Sequence, residues 1–281
     1  MKFRSNYSTG IYQNLAEPVY RADKALSTSE LKKFKVTPKA FYAYRNKLFT
    51  ERRSPSMEKG TLFHLYALER SRFDDEVSVC PPEFEDRRKK ASKEYWAEQE
   101  EKGVQVIKQD DLRSIQMMFA AYSELSEVRE AHIRNPQSEV SVFCEDFVKG
   151  LDVKCRVDLL IGDTVIDIKT TAKGGANPRA FLRKCRDLGY DWQQYNYTRI
   201  LQKAGVEVRK WVWAVVETEP PFDASQLILA EADVAEAETE VVAAYRQLMS
   251  CMKLDAWPSY TPSKAAIISR FNSTSQGVAK S

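Results

Sequence analysis

The chain has 281 residues, of which 43 are lysine or arginine and 40 are aspartate or glutamate, giving a net charge of +3. This length can bury a substantial core, either in one large domain or in a core with an accessory lobe. The near balance of charge excludes a protein that binds nucleic acid through its overall charge, so any DNA-binding surface must be local.

Five cysteines are spread along the sequence, an odd number with no CxxC pair or other close cluster. This spacing argues against a disulfide framework, a zinc site and an iron-sulfur cluster, and it fits reduced thiols. Met1 is followed by polar residues, and no apolar run approaches the roughly 20 residues that a membrane helix needs. We expect a soluble cytoplasmic protein.

Residues 1–27 have no clear periodicity and are predicted to form an arm or an irregular lead-in. A helix then begins with Ser27 or Thr28 as its N-cap and with Glu30 in its first turn, where a negative charge suits the helix dipole. A second short helix begins at Pro38.

A basic surface is predicted on and after the second helix. It consists of Lys39, Arg45, Lys47, Arg52 and Arg53. Such a run is either a solvated helix face or a grip on DNA phosphates, and the sequence leaves both interpretations open.

Residues 59–69, KGTLFHLYALE, predict a helix that is apolar nearly all round and therefore buried. His64 lies inside this apolar run. Taken alone, such a histidine is either a hydrogen-bonded core residue or a ligand.

A charged stretch, residues 83–102, combines the basic run at residues 87–90 with Tyr95 and Trp96. This combination is typical of a solvated helix with a packed aromatic edge, or of a surface where bases stack. A long helix follows, with Asp110 as its N-cap, and we assign it a structural role.

Alternating residues after Asn135-Pro136 predict a half-buried strand that carries Glu139 near its start. Turns at Lys149-Gly150 and Gly162-Asp163 then give three consecutive strands joined by hairpins. Glu139 is either an exposed residue at a strand end or a third carboxylate of a pocket formed by the next two strands.

Residues 154–171, KCRVDLLIGDTVIDIKTT, form the hairpin on which the functional prediction depends. Residues two apart in a strand face the same side, so Asp167 and Lys169 point into one space. If Asp158 faces that space from the neighbouring strand, two carboxylates and an ammonium group converge where a divalent cation and a phosphate could meet.

The remaining chain predicts a basic helix, a helix capped by Asp191, a strand rich in β-formers, a short closing strand, and a helix from Asp233 to about Leu254. Gln193 and Tyr197 are four apart and share a helix face. They are either functional or a helix-to-sheet packing pair.

This order of elements resembles the PD-(D/E)XK nuclease superfamily. The segments GTLFH, CRVD, DIKTT and Gln-x-x-x-Tyr together resemble the RecE-type exodeoxyribonuclease VIII catalytic domain of phage and prophage recombination systems, from about Leu26 to Pro258. The sequence departs from the superfamily pattern at Val157, in place of proline, and at Asp167, where many members have glutamate.

The resemblance implies an α/β (α+β) fold with a restriction-endonuclease-like core, namely a central mixed β-sheet flanked by helices, and a helical N-terminal region. We expect an arm at residues 1–27, one nuclease domain at residues 28–258 and a tail at residues 259–281 whose end is disordered.

The resemblance also implies the roles of the site residues. The expected catalytic residues are Asp158, Asp167, Lys169, Gln193 and Tyr197, and the expected metal ligands are His64, Glu139, Asp158, Asp167 and the backbone carbonyl of Ile168. Carboxylate and carbonyl oxygens suit Mg²⁺, and the histidine would let Mn²⁺ substitute.

The implied activity is digestion of linear double-stranded DNA from the 5′ end, which leaves 3′ single strands for an annealing protein. RecE-type relatives form toroidal homo-oligomers, so we expect a trimer or tetramer in a bacterial host cell, of phage or prophage origin. The alternatives are an endonuclease or single-strand-specific nuclease of the same superfamily, and a catalytically inactive DNA-binding recombination protein.

Overall fold

The structure, a computed structural model, describes residues 2–49 and 54–260. The strands are β1 (Gly10–Tyr12), β2 (Leu26–Ser27), β3 (Val77–Val79), β4 (Gln105–Ile107), β5 (Gln137–Val148), β6 (Leu151–Ile161), β7 (Thr164–Thr171), β8 (Lys210–Glu217) and β9 (Ala224–Leu227).

The helices are α1 (Glu17–Ala22), α2 (Thr28–Leu31), α3 (Pro38–Arg45), α4 (Pro55–Leu68), α5 (Arg70–Glu76), α6 (Lys90–Glu101), α7 (Gln109–Ser123), α8 (Ser126–Ile133), α9 (Pro178–Leu188), α10 (Tyr190–Lys203) and α11 (Glu231–Leu254). Two 3₁₀ helices span Lys32–Lys35 and Pro82–Phe84. None of the helices in the described part of the chain is long and apolar enough to cross a membrane.

A seven-stranded mixed sheet forms the centre of the molecule. Its order is β1-β5-β6-β7-β8-β9, with β2 pairing alongside β6. The predicted hairpins β5-β6 and β6-β7 are antiparallel, whereas β7 and β8 are parallel along their whole length. Helices cover both faces, so the predicted α/β fold with a central mixed sheet is confirmed.

The two faces of the sheet belong to two separate hydrophobic cores. The first core contains Phe181, Ile200 and Leu248, and so packs α9, α10 and α11 against one face. The second core contains Phe63 and Met118, and so packs α4 and α7 against the other. Side chains from α4 and from α10 therefore approach the sheet from opposite sides.

The first residues of the chain add a strand to the sheet and cover one end of it. β1 pairs antiparallel with β5, and the ring of Tyr7 stacks on Phe143 with 4.5 Å between centroids. Phe143 and Ser141 are consequently fully buried. β5 was predicted to be half-buried, and this is wrong, because the arm shields the face that the alternation assigned to solvent.

Two helix starts differ from the prediction. Lys108, and not Asp110, is the N-cap of α7. α10 follows directly on Gly189, whose left-handed φ of 68° separates it from α9, so Asp191 lies in the first turn of the helix. The start of α2 is confirmed: Ser27 and Glu30 form a reciprocal capping box.

The predicted basic surface is only partly exposed. Arg45 lies 2.6 Å from Glu30 in a largely buried ion pair and also donates to the carbonyl of Lys24, so it faces inward. Arg52 and Arg53 lie outside the described residues.

In the charged stretch of residues 83–102, Arg87 lies over the ring of Trp96 at 3.5 Å and Phe84 stacks on Tyr95. These two aromatic faces are therefore occupied by the protein's own side chains. The predicted disordered end of the tail lies in residues 261–281, outside the described part, and the division into arm, domain and tail stays a prediction.

Candidate metal centre

The candidate site lies where the sheet forks. One edge of β6 pairs with β2 at Val153 and Lys154 and with β7 at residues 159–161. No described strand pairs with the stretch between them on this edge. Asp158 lies at the end of this stretch, and its Oδ2 accepts a 2.7 Å hydrogen bond from the backbone N–H of Ile168 in β7. A carboxylate therefore replaces a strand-to-strand bond at the fork.

The fork changes the direction of side chains along β6. Val157 packs in the first core, whereas Leu159, two residues later, packs in the second. Regular strand alternation would place both on one face. The break centres on Asp158, and it allows groups from opposite faces of the sheet to meet there.

Glu139 faces Asp158 across the β5-β6 pair. Ser138 pairs with Leu159 and Val140 with Val157, which leaves Glu139 opposite Asp158. Glu139 also has a left-handed φ of 51°, a conformation that costs energy in a non-glycine residue within a strand. Such local strain often occurs at functional sites and re-aims a side chain, here toward the fork.

His64 completes a three-residue cluster with Glu139 and Asp158. One ligand atom from each residue lies within 4.8 Å of the others, and His64 Nδ1 is 3.8 Å from Asp158 Oδ2. One imidazole nitrogen and two carboxylate oxygens are a donor set that Mg²⁺ or Mn²⁺ accepts. This geometry is consistent with the prediction that His64, Glu139 and Asp158 are ligands of one metal site.

A glycine allows α4 to bring His64 this close. Gly60 lies one turn before His64, and a Cβ on Gly60 would be 2.6 Å from Thr170 Oγ1 in β7. Glycine therefore permits a close approach of helix to strand, and a side chain at this position would require Thr170 to shift. The helix itself begins with Ser54 as N-cap and Pro55 in its first turn.

Asp167 and Lys169 form the other half of the site, on the α10 face of β7. Lys169 Nζ donates to Asp167 Oδ1 and lies 3.4 Å from the carbonyl oxygen of Ile168. Gln193 Nε2 donates to Asp167 Oδ2 at 2.5 Å. The predicted common orientation of Asp167 and Lys169 is present, and Gln193 contacts the second acidic residue directly.

Tyr197 lies one turn after Gln193, in the first core. Its ring packs edge-on against Trp211, with 6.1 Å between centroids, and its side chain is buried. These are packing contacts. The catalytic role predicted for Tyr197 stays a prediction.

The carboxylates of the site are held where ionisation is unfavourable. Burial raises the pKa of Glu139 to about 8, and the charge of Asp158 adds to this, while Arg156 opposes it. Burial likewise raises the pKa of Asp167 to about 6, against the effect of Lys169. The pKa of Asp158 is also raised by burial. A bound cation would relieve all three groups.

The pKa values of the two basic groups of the site, His64 and Lys169, shift in opposite directions. Burial, followed by the nearby Lys169 ammonium, lowers the pKa of His64 to about 4, so the imidazole is neutral and has a lone pair free for a metal. Burial also acts to lower the pKa of Lys169, but the carboxylates of Asp167 and Asp158 outweigh it and raise the pKa. Lys169 is therefore a cation at neutral pH.

Two residues of this region were not predicted from the sequence. Arg156 Nε lies 2.6 Å from Glu139 Oε2, while its Nη2 donates to the carbonyl of Leu15 in the arm. Lys32 Nζ lies 3.3 Å from Gln193 Oε1. Arg156 precedes Asp158 by two residues in the same strand, and this spacing could have indicated that Arg156 lies near the site. Lys32 is part of a short basic run, for which a solvated surface is the ordinary interpretation.

The mixed sheet, the fork with its acidic residues and the Asp-x-Lys strand define the class: the fold is that of a PD-(D/E)XK nuclease. The model of a family described as a PDDEXK-like domain of unknown function (DUF3799) matches residues 27–269. The chain belongs to this family, and the predicted superfamily is confirmed.

A crystal structure at 2.19 Å resolution, of a candidate exonuclease from Eubacterium rectale, has a similar fold. The TM-score is 0.60 and the identity 16%, over 92% of this chain and 97% of that chain. At this identity the likeness concerns the fold alone. Among curated proteins, none matches the sequence.

Proposed function

We propose that the protein is a divalent-metal-dependent exonuclease that digests linear double-stranded DNA from the 5′ end. The observation that carries the proposal is the cluster of His64, Glu139 and Asp158 within 4.8 Å, beside a strand that presents Asp167 and Lys169. This combination of cation ligands and a fixed ammonium suits hydrolysis of a phosphodiester.

Each residue has a role in this proposal. Asp158, Glu139 and His64 would hold Mg²⁺, which Mn²⁺ could replace, and Asp167 with the Ile168 carbonyl would complete the ligand set. When bound, the cation would supply positive charge at the scissile phosphate and lower the pKa of a water molecule. Lys169 orients the attacking water and offsets charge on the phosphate, while Gln193 holds Asp167 in place.

The substrate and the partners are proposed from resemblance. The order of motifs resembles the RecE type, and the protein from Eubacterium rectale with the similar fold is described as a candidate exonuclease. On this basis the product is a 3′ single strand, the partner is an annealing protein, and the enzyme is a trimeric or tetrameric ring around DNA. Enclosure of DNA by a ring would offset the small net charge of +3.

Digestion of a linear duplex labelled at either the 5′ or the 3′ end, with Mg²⁺ or EDTA, tests the proposal. Early release of the 5′ label with Mg²⁺, and no release in EDTA, is expected. Early release of the 3′ label would contradict the polarity. Cleavage of closed circles would indicate an endonuclease, and digestion of single strands alone a single-strand-specific nuclease.

A protein that leaves linear duplex intact with Mg²⁺ and Mn²⁺, but binds it, would be the catalytically inactive DNA-binding protein. Lys169→Ala serves as the matched control, because it removes the ammonium and leaves the cluster of His64, Glu139 and Asp158 in place. Equal DNA binding by the wild type and Lys169→Ala, with no digestion by either, would overturn the enzymatic proposal.

A further inference from the structure

Lys32 is the first residue of the 3₁₀ helix Lys32–Lys35, and its side chain extends toward β7, the strand that carries Asp167 and Lys169. Its Nζ lies 3.3 Å from Gln193 Oε1 and 5.3 Å from the centroid of the Tyr190 ring. Lys169 approaches the same ring at 5.0 Å. Two ammonium groups from distant parts of the chain thus contact one aromatic side chain beside Asp167.

The fold provides space for the Lys32 side chain. Gly189 has a left-handed φ of 68°, and a Cβ there would be 2.9 Å from Lys32 Cδ and 3.0 Å from its Cγ. One glycine therefore both allows the break between α9 and α10 and leaves room for the lysine stem.

The helix that carries Lys32 is fixed at its other end by Lys35. Lys35 Nζ donates to the carbonyl of Arg186 at 3.0 Å and pairs with Asp191 at 3.3 Å and Glu240 at 3.2 Å. These contacts hold the 3₁₀ helix against α9, α10 and α11. Lys32 consequently enters the site from a position that does not depend on its own hydrogen bond.

Lys32 and Asp167, on opposite ends of the Gln193 amide, favour the same orientation of that amide. A lysine ammonium has only donors, so it requires the amide oxygen, and the amide N–H groups are left to face Asp167. Asp167 then accepts from Gln193 at one oxygen and from Lys169 at the other. With the amide reversed, the Gln193 oxygen would lie against the Asp167 carboxylate, which is repulsive. The chain Lys32–Gln193–Asp167–Lys169 therefore has one consistent arrangement of donors and acceptors.

We propose that Lys32 is a positioning residue, which fixes the Gln193 amide so that Asp167 and Lys169 are held in the geometry needed for phosphodiester hydrolysis. This inference rests on the proposed function for its catalytic consequence. Its structural part concerns the orientation of one amide and stands or fails separately.

Kinetics of three variants test the catalytic consequence. Lys32→Met keeps the stem beside Gly189 but removes the donors, and we expect kcat to fall about 10- to 100-fold with KM for DNA nearly unchanged, since small displacements of catalytic groups cost this much. Gln193→Met should cause a similar fall, and the double variant should be no slower than the slower single variant. Multiplied effects, or a rise in KM with kcat unchanged, would overturn the proposal.

Lys35→Met is the matched control, because it removes a lysine of the same 3₁₀ helix that does not contact Gln193, while Phe34 of that helix stays packed in the first core and keeps the helix in place. We expect it to lower the free energy of unfolding and to leave kcat per folded molecule within about threefold of the wild type, which is less than 1 kcal/mol in barrier height. A fall in kcat equal to that of Lys32→Met would mean that helix displacement, and not the amide contact, is responsible, and would overturn the proposal.

Side-chain amide NMR of metal-free, glutamine-labelled protein provides a readout that does not depend on activity. Gln193→Met identifies the Gln193 signals by their absence. We expect these signals to be shifted downfield and slow to exchange in the wild type and in Lys35→Met, and to lose both properties in Lys32→Met. If they are unchanged in Lys32→Met, the proposal is wrong whatever the activity. If the signals change in Lys32→Met while the wild type digests no DNA, the proposed function fails and the positioning contact stands.

Discussion

Two groups of charges lie along β6 and its neighbours, the first buried and the second half-buried, and they differ in how their charges are matched. In the first group, under the N-terminal arm, Asp152 accepts from the backbone N–H groups of Ser5 and Asp146 at 2.8 and 3.0 Å. Lys154 donates to the carbonyls of Tyr20 and Asp23, both at 2.7 Å. Arg4 Nη1 also donates to Asp152 Oδ1 at 3.1 Å. Each charge of this group is thus matched by fixed partners, most of them backbone dipoles.

In the second group, at the fork, like charges converge. Glu139 and Asp158 meet with His64 within 4.8 Å, and the pKa of Glu139 is raised to about 8 by burial and by Asp158. The nearby cations, Arg156 and Lys169, offset this only in part. A buried charge by itself therefore does not indicate function. A charge matched by fixed partners belongs to the fold, whereas a cluster of like charges leaves a place that a cation from solution can fill.

The largest expected difference between the two groups is in catalysis. Asp158→Asn removes a charged ligand at the fork, and we expect kcat to fall by about 10³-fold, because fixed charge at the reacting phosphate supplies several kcal/mol. Asp152→Asn, six residues earlier in the same strand, is the matched control and should keep the activity per folded molecule. Comparable losses in both variants, measured on linear duplex, would remove the distinction between the groups.

Metal binding should stabilise the protein through the second group alone. At a concentration 100 times the dissociation constant, Mg²⁺ or Mn²⁺ should raise the free energy of unfolding by about 2.7 kcal/mol. Thermal unfolding with and without the metal measures this gain. We expect it to be nearly absent in Asp158→Asn and intact in Asp152→Asn. An equal gain in both would place the binding site elsewhere.

Loss of a matched charge should affect stability and not chemistry. Lys154→Met leaves the carbonyls of Tyr20 and Asp23 without their buried donor, which costs about 2 kcal/mol in free energy of unfolding. Chemical denaturation measures the loss. Digestion per folded molecule should stay near that of the wild type, and a loss of activity without a loss of stability would contradict a structural role.

The last expected effect is in the pH dependence of stability. The pKa of Glu139 is about 8 in the folded, metal-free protein, against an ordinary value of 4.5. The folded state binds the Glu139 proton more tightly than the unfolded state does, so the protonated carboxyl group stabilises the fold. This stabilisation is fully present below pH 4.5 and is lost as the pH rises through 8. The slope from this group is at most about 1.4 kcal/mol per pH unit.

Glu139→Gln provides the test of this dependence. We expect unfolding of the metal-free variant, followed between pH 5 and 8, to lose less stability with rising pH than the wild type does. An equally steep decline in Glu139→Gln would show that Glu139 does not carry the dependence.

The sequence was sufficient for the parts of the site that depend on local pattern. The alternation in residues 154–171 predicted the hairpin and the shared face of Asp167 and Lys169, and the apolar run around His64 predicted its helix. The order of the strands made Glu139 a candidate for the pocket of Asp158. The placement of His64 as a ligand came from resemblance to a family, since no local rule relates residues so distant in the chain.

The features that were missed depend on contacts between distant segments. The fork exists because β2 pairs parallel with β6 and leaves an edge open, and two residues, Leu26 and Ser27, are too few to predict as a strand. The contact of Lys32 with Gln193 depends on the backbone of Gly189 at the start of α10. The arm hides the outer face of β5, which its own alternation assigned to solvent.

The most direct test of metal-dependent nuclease action at the fork is the rate at which the purified protein digests a labelled linear duplex. The rate is measured with Mg²⁺ and with EDTA for the wild type, Lys169→Ala and Lys154→Met. These two variants each remove one lysine, the half-buried Lys169 at the fork and the buried Lys154 under the arm. We predict metal-dependent digestion by the wild type and by Lys154→Met per folded molecule, and a rate about 10³-fold lower for Lys169→Ala. Digestion by the wild type in EDTA, or by Lys169→Ala at the wild-type rate, would contradict the account.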